Sequence, residues 1–590
     1  MTSTEPRYYS STLAQPALSG RRVTVVGIVI GLILMLVAVR GANLQLAGNE
    51  RALEIGIYQQ TNSDVLLAPR GLISDRTGTV LAVSNLAWDV RLNPTRVNGR
   101  PIVTDTATLA TALSGATGRP YAKVKQEMDT IIATWAPTKT NVSTLVAAGL
   151  SPSETFRLTT TLTAAKRCCL NFESTWERDY PQGTLAASVL GYVNLVPTGL
   201  SGVEDFYDNV LRATPGKIKE RGNDVIELQQ ARPGADLTLT IDANLQQFVE
   251  RRLAQALKEY DASGGTIIVM ETRTGAILSM ASLPTYDPNS ALGAAASRQG
   301  ERRLRNQAVS DLYDPGSTMK AVTWAAALDS GKVTSRTVFN DSGVYRTDGI
   351  PIYNSQNGRY GAVSLLEVFQ HSINTVTAQV AREYMGPESF YTYMRKFGLG
   401  NRTGVDMGGE EQGILNTPES PRWSPIVLTT NSYGQGVSMT PIQVIGAINA
   451  VANDGAVMQP HVVSKYVLPD GRVQIINPVV RNQAVSPETS RQIRAILGEA
   501  TRTASPAALI KGYSVAGKTG TAEQRPNGIP VPRPIHTYAG FFPASRPQIT
   551  ILVKLDYPKP AFAKDTTIPV FHDVAERAAQ MFNIAPDIVK

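Results

Sequence analysis

Apolar and polar positions alternate along this chain in three distinct rhythms. Residues 23–39 (VTVVGIVIGLILMLVAV) run without a single charge. Over residues 244–260, Leu245, Phe248, Val249, Leu253 and Leu257 recur at helical spacing and predict an amphipathic helix. Residues 321–328 (AVTWAAAL) read as a second, more apolar helix. Short apolar runs at 266–270 and 276–280 predict strands, joined by the turn Glu271-Thr-Arg-Thr-Gly275 into a hairpin. Three more strand-like runs close the chain at 513–522, 537–542 and 548–556, and the stretch between them and the hairpin reads as mostly helical. Strands at both ends with helices between predict an antiparallel sheet backed by helices, an α+β fold.

Upstream the rhythm is shorter and broken by Gly, Pro and Thr. Arg70-Gly-Leu-Ile-Ser-Asp-Arg-Thr-Gly78 before Val80-Leu-Ala predicts a turn between two strands. Helices are expected over 106–113 and 121–133, loops at 178–183 and 199–204, and a boundary at 232–236 followed by a strand over 237–242. A chain of 590 residues is too long for one core. The expected divisions are a tail at 1–22, an anchor at 23–39, an elongated N-terminal domain at 40–235, a larger domain at 236–582 and a C-terminal tail at 583–590.

The run at 23–39 would extend roughly 26 Å as a helix, the short end of a membrane crossing. A cleaved signal peptide is the competing reading, but its apolar stretch is usually shorter and followed by small residues, where this chain has Arg40. Arg7, Arg21 and Arg22 precede the run, so a retained anchor would hold the N-terminus in the cytoplasm and the bulk outside. No second run of that length follows, and the expectation is a single-pass protein.

Composition narrows the chemistry. With 42% apolar and 18% charged residues the chain is an ordinary folded one, and its net charge of +8 is spread rather than clustered. That implies weak attraction to anionic surfaces and no nucleic-acid footprint. The two cysteines, Cys168 and Cys169, are adjacent, which gives no disulfide framework. His371, His461, His536 and His572 show neither metal-ligand spacing nor the makings of a Ser-His-Asp triad, and GxSxG is absent.

One stretch invites a nucleotide reading. Gly512-Tyr-Ser-Val-Ala-Gly-Lys-Thr519 fits GxxxxGK[ST], but that mechanism needs a helix after the threonine, and Gly520 with a nearby proline makes a poor first turn. The match also falls on a predicted strand, taken here as an inner strand of the sheet. Asp314-Pro-Gly-Ser-Thr-Met-Lys320 offers different chemistry. Pro315 and Gly316 place Ser317 near a helix N-terminus, and Lys320 follows one turn later on the same face. A serine hydroxyl needs a base, and without histidine a neutral amine can serve. Burial or a second positive charge such as Lys518 would keep that amine neutral. Ser372-Ile-Asn374 supplies a hydroxyl and an amide, and Lys518-Thr-Gly520 lies on a strand where Gly520 leaves room along the backbone.

Ser-x-x-Lys, a middle Ser-x-Asn and Lys-Thr-Gly, in that order and at wide spacing, form the recorded signature of penicillin-binding proteins and class A β-lactamases. The chain resembles class B penicillin-binding proteins, the monofunctional transpeptidases that cross-link peptidoglycan. Arg70-Gly, Asp75-Arg76, Gly78, Arg178, Tyr180-Pro181, Gly183 and Gly202-Val-Glu204 resemble motifs of that family's pedestal, a dimerisation-like domain. Ala281-Ser-Leu-Pro-Thr-Tyr-Asp-Pro288, Asn306-Gln-Ala308, Gly434-Gln-Gly436, Thr440-Pro441 and Gly517-Lys-Thr-Gly-Thr-Ala522 resemble its catalytic segments. Two departures are Ile373, where serine or aspartate is common, and Asp314, where glutamate often stands; neither removes a catalytic atom, and the first is expected to alter the edge of the pocket and so inhibitor preference.

The resemblance implies Ser317, Lys320, Ser372 and Asn374 as catalytic residues, with Lys518, Thr519, Gly520 and Thr521 binding the substrate, and it implies no metal or cofactor. D-Ala-D-Ala stem peptides would be the substrate and β-lactams the inhibitors. The oxyanion hole would lie at the N–H groups of Ser317 and Thr521. It also implies a SEDS-type glycan polymerase and other divisome proteins as partners, and a place in the bacterial cytoplasmic membrane with the catalytic domain outside. Asn374 with an unmodified Lys-Thr-Gly leans toward the division-specific, septal type; the elongation type is the alternative. The rivals are a D,D-carboxypeptidase or β-lactamase, a β-lactam-binding sensor or scaffold, and a nucleotide hydrolase.

Overall fold

In the computed structural model of this chain the described residues are 35 and 65–588, apart from 94–95, 98–99, 102–105, 139–142, 163–169, 195–196, 222–223, 295–302 and 524–530. The expected tail at 1–22, the anchor at 23–39 apart from residue 35, and the Cys168-Cys169 pair lie outside them. Among the described residues no helix is long and apolar enough to cross a membrane.

The N-terminal domain is built on a long strand. Strands β1 (Ile73–Ser74), β2 (Val80–Leu92), β3 (Thr144–Leu150), β4 (Leu170–Asp179) and β5 (Asp236–Leu239) share one sheet, in which β2 pairs antiparallel with β1, β3 and β4. Helices Thr106–Thr117, Tyr121–Thr138 and Pro152–Thr161 bury Leu109, Leu113, Val124 and Leu158 against Val90, Leu92 and Leu150. The turn read from residues 70–78 is present, since β1 runs back along β2. The expected loops at 178–183 and 199–204 need correction: Arg178 lies on β4, and Gly202–Phe206 is a short helix. Strand β4 (LNFESTWERD) is mostly polar, so its pairing with β2 leaves little hydrophobic trace.

Three of the pedestal residues, Arg70, Arg178 and Glu204, meet with Asp208 in one buried knot. Glu204, fully buried, accepts from Arg70 Nε at 2.6 Å and from Arg178 Nε at 2.7 Å, while Arg70 Nη1 donates to Asp208 at 2.7 Å. Burial alone would raise the Glu204 carboxyl, and the two guanidinium ions outweigh it and hold it below its ordinary value. The N-terminal sheet also continues into the second domain. Strand β5 pairs parallel with β1 and antiparallel with Val463–Val467, and Asp75 in the β1–β2 turn accepts the N–H of Ala243 at 2.9 Å.

The second domain is organised around strands β6 (Gly264–Glu271), β7 (Ile277–Leu283), β8 (Ala516–Ala522), β9 (Ile535–Phe542) and β10 (Ile549–Asp556), all antiparallel, in the order β7-β6-β10-β9-β8. Both faces are covered, so apolar residues alternate between two cores. Ile267 and Val269 pack with α1 (Ala243–Glu259) and the C-terminal helix Thr567–Met581, whereas Ile268 and Met270 join the core that holds Trp324 and Ile445. Truncating Ile268 to Ala would cost about 2–5 kcal/mol.

Two expectations change. The Lys518-Thr-Gly520 strand β8 is an edge strand, not an inner one. The segment between hairpin and final strands also carries short ladders, Phe339–Asp341 with Gly361–Val363 and Val344–Thr347 with Ile350–Tyr353, beside its helices.

Candidate active site

Ser317 sits in a 3-10 turn, Gly316–Thr318, that opens α2 (Met319–Asp329). The turn is set by backbone contacts that only glycine allows. Gly316 donates its N–H to the Gly434 carbonyl at 2.9 Å, and a Cβ on Gly434 (φ +82) would lie 2.0 Å from the Gly316 carbonyl oxygen. Asp314 ties the same loops together by accepting the Gly436 N–H at 2.9 Å, and burial raises its carboxyl to about 6.

Lys320 is fully buried one turn beyond Ser317. Its Nζ donates to the Ser372 carbonyl, to Ser372 Oγ at 3.1 Å and to Asn374 Oδ1 at 2.7 Å. The Ser372-Ile-Asn374 segment joins helix α3 (Leu365–Gln370) to α4 (Asn374–Gln379) through a left-handed residue, Ser372 at φ +53. That conformation, uncommon outside glycine, turns both Ser372 and Asn374 toward Lys320. The turn is pinned by Ile373, whose N–H bonds to the Val368 carbonyl at 3.0 Å and whose fully buried side chain joins the core. Ile373 therefore packs into the core and does not line the cleft, where the sequence reading expects it at the pocket edge.

Strand alternation on β8 turns Lys518 and Gly520 inward and leaves Thr519 and Thr521 facing out. The Lys518 Nζ donates to Thr519 Oγ1 at 3.2 Å. The room left by Gly520 is taken by the chain itself, because a Cβ there would lie 2.5 Å from the Pro315 carbonyl. This glycine lets the edge strand dock on the Ser317 turn. Ser317, Ser372, Asn374, Lys518, Thr519 and Thr521 line one cleft of about 1210 Å³, with Lys320 beneath its floor.

The electrostatics follow from this packing. Burial, and secondly the charge of Lys518, lower the Lys320 amine well below the ordinary lysine range. Burial lowers Lys518 to about 8. The site thus pairs an amine whose hold on its proton is weakened with one that remains largely ammonium at neutral pH.

Two supports escaped the sequence reading. Asn354 Oδ1 accepts the Asn374 N–H at 2.9 Å, and the Tyr353 carbonyl accepts from Asn374 Nδ2 at 3.1 Å. Neither carries a motif; only proximity in the fold marks them.

Residues 265–576 match the model of the penicillin-binding protein transpeptidase domain, and residues 65–239 match that of the penicillin-binding protein dimerisation domain. The chain belongs to the penicillin-binding protein transpeptidase family. Among curated relatives, Stage V sporulation protein D of Bacillus subtilis is 34% identical over 65% of this chain and 60% of its own length. Peptidoglycan D,D-transpeptidase FtsI of Escherichia coli is 31% identical over 70% and 68%. The chain spans less than two thirds of the length of the sporulation protein and of the PbpB penicillin-binding proteins it matches. Penicillin-binding protein 3 of Mycobacterium tuberculosis, solved with ampicillin, superposes with a TM-score of 0.67 at 28% identity, covering 89% of this penicillin-binding protein and 97% of that one.

Proposed function

We propose that this penicillin-binding protein is a peptidoglycan D,D-transpeptidase that cross-links stem peptides through an ester on Ser317 and is acylated there by β-lactams. The observation that carries the reading is the buried, proton-poor amine of Lys320, held by Ser372 and Asn374 beside the cleft that exposes Ser317. Lys320 takes the Ser317 proton as Oγ attacks the penultimate D-Ala carbonyl. Ser372 can donate to a neutral Lys320 as readily as it accepts from a charged one, which suits it to relay the proton to the departing D-Ala. Lys518 and Thr519 hold the terminal carboxylate. The N–H groups of Ser317 and Thr521 bind the oxyanion, and losing one such donor typically costs on the order of 10²- to 10³-fold in rate. Asn374 holds the acyl peptide's amide, and an amine of a neighbouring stem peptide resolves the ester. Binding of ampicillin and aztreonam by the mycobacterial structures supports the β-lactam part of the reading.

The test is labelling with a fluorescent penicillin: covalent label on the wild type and none on Ser317→Ala is expected, and equal label on both overturns the assignment.

The finer reading is a single-pass protein anchored by residues 23–39, with its N-terminus in the cytoplasm, a pedestal at 40–235 and the catalytic domain at 236–582 outside. It would work in septal wall synthesis beside a SEDS-type polymerase and other divisome proteins. Asn374 and the unmodified Lys-Thr-Gly support the septal assignment. Filamentation on depletion is the expected phenotype, and rounded cells would move it to elongation.

A further inference from the structure

Asp341 is a carboxylate buried to 1% exposure that forms no ion pair among the described residues. Its charge is met by hydrogen-bond donors from four groups. Oδ1 accepts from Gly343 N–H at 3.0 Å, Asn354 Nδ2 at 3.0 Å and Thr375 Oγ1 at 2.6 Å. Oδ2 accepts from Asn354 Nδ2 at 2.9 Å and Tyr360 N–H at 3.0 Å. Leaving a carboxylate in such a place is costly unless every oxygen is satisfied, so the arrangement demands a reason.

The reason lies in what the donors touch. Asn354, fixed by Asp341 on its amide side, uses its own Oδ1 to accept the N–H groups of Asn374 at 2.9 Å and Thr375 at 3.1 Å. These are the first N–H groups of α4, which has no side-chain cap of its own. Asn374 in turn receives the Lys320 amine at 2.7 Å. The Tyr360 ring, placed by its N–H bond to Asp341, stacks on His371 at 4.4 Å between centroids, and His371 is the neighbour of Ser372. One buried anion therefore fastens both flanks of the Ser372-Ile-Asn374 segment.

We propose that Asp341, acting through Asn354 and Thr375, is a positioning residue for the reaction: it fixes the Ser372–Asn374 turn so that the Lys320 amine points where Ser317 needs it. This rests on the assignment of Ser317 and Lys320 made above. Because Asp341 touches neither cleft nor substrate, its loss should slow the acylation step without changing which atom is acylated.

The experiment is time-resolved acylation of the full chain by fluorescent penicillin, with the labelled fraction, the saturating rate constant and the pH profile recorded for wild type, Asp341→Asn, Thr375→Val and Ser317→Ala. Asp341→Asn should label to wild-type stoichiometry with a rate constant lower by about 100-fold, the size of effect that small misplacement from a distance produces. Thr375→Val, which removes one donor and leaves the carboxylate, should fall between. The acid limb of both variants should move to lower pH, since a displaced Asn374 no longer favours the charged Lys320. A lower Tm or labelled fraction with an unchanged rate constant and pH limb per labelled site would reduce Asp341 to a folding role and overturn the proposal. Should Asp341→Asn fail to fold, a wild-type rate constant in Thr375→Val overturns it equally. Label on Ser317→Ala would instead sink the site assignment itself.

Discussion

Lys518 faces Lys320 as a like charge, and that repulsion adds to burial in lowering the proton affinity of the Lys320 amine. The two lysines are therefore linked twice, once through the base and once through the carboxylate that Lys518 is proposed to hold. Lys518→Ala should separate the two links. Removing the repulsion lets the Lys320 pKa rise, so the acid limb of acylation by a carboxylate-bearing β-lactam moves to higher pH. Losing a charged hydrogen bond to the carboxylate costs about 1.5–3 kcal/mol, or roughly ten- to a hundredfold in acylation efficiency. Stopped-flow acylation across pH measures both, and an unmoved limb would show that the amines do not communicate.

The wild type should also show a basic limb. Lys518 in the free protein is lowered to about 8, so the ammonium proposed to recruit a carboxylate is lost as pH rises past that value. Acylation efficiency at low β-lactam concentration reports the free protein and should decline above about 8. At saturating β-lactam the bound carboxylate favours the charged lysine, and the decline should begin at higher pH. Coincident limbs would argue that Lys518 does not touch the carboxylate.

Glycine contacts around Ser317 give a steric prediction. Gly434→Ala places a methyl 2.0 Å from the Gly316 carbonyl at a residue with φ +82, and Gly520→Ala places one 2.5 Å from the Pro315 carbonyl. Each must push the Ser317 turn away from the Gly434 loop or from strand β8. Acylation should drop by on the order of 100-fold in both, the cost of a displacement near 1 Å. Wild-type acylation in either variant would mean that the turn tolerates the shift.

Much of this arrangement could be read in the chain, and the unread part has a common cause. The Ser317–Lys320 pair is local, one helical turn, and its helix announces itself by composition. The hairpin and the last two strands show as apolar runs because both sheet faces are buried there. Which of those strands lies at an edge is a matter of pairing partners, which side-chain periodicity does not encode, so β8 was placed inside the sheet. Gly520 looked like space for a ligand because sequence does not show that the Pro315 carbonyl already fills it. Ile373 looked like a pocket residue because it lies between two cleft residues, yet the left-handed Ser372 sends it into the core. Asp341 and Asn354 carry no motif and act only through contacts formed by folding.

The pedestal knot predicts a large stability effect away from the cleft. Arg178→Leu would leave Glu204 fully buried with Arg70 as its remaining guanidinium partner. Breaking a buried pair from one side typically costs about 3–5 kcal/mol. Thermal unfolding or limited proteolysis should show the N-terminal domain weakened, while the penicillin-labelled fraction of folded protein keeps its rate constant. Pairing Arg178→Leu with Glu204→Gln should recover part of the loss, since the buried carboxylate left with a single guanidinium is then gone and Arg70 keeps Asp208.

Asp314 and Glu204 make opposite demands on pH. The Glu204 carboxyl is lowered on folding, so its contribution to stability is present above the unfolded value and lost as pH falls through the folded one. The Asp314 carboxyl is raised from 3.8 to about 6, so the folded form binds its proton more tightly. Its contribution is complete below about 3.8 and disappears as pH rises through about 6, a change on the order of a few kcal/mol. Asp314→Asn keeps an oxygen that can accept the Gly436 N–H and removes the ionisation. The Tm of this variant relative to wild type should therefore climb between pH 4 and about 6 and level off above it. A difference that is flat with pH would mean that Asp314 ionises in the folded protein as easily as in the unfolded chain, and that its burial beside Ser317 imposes no cost.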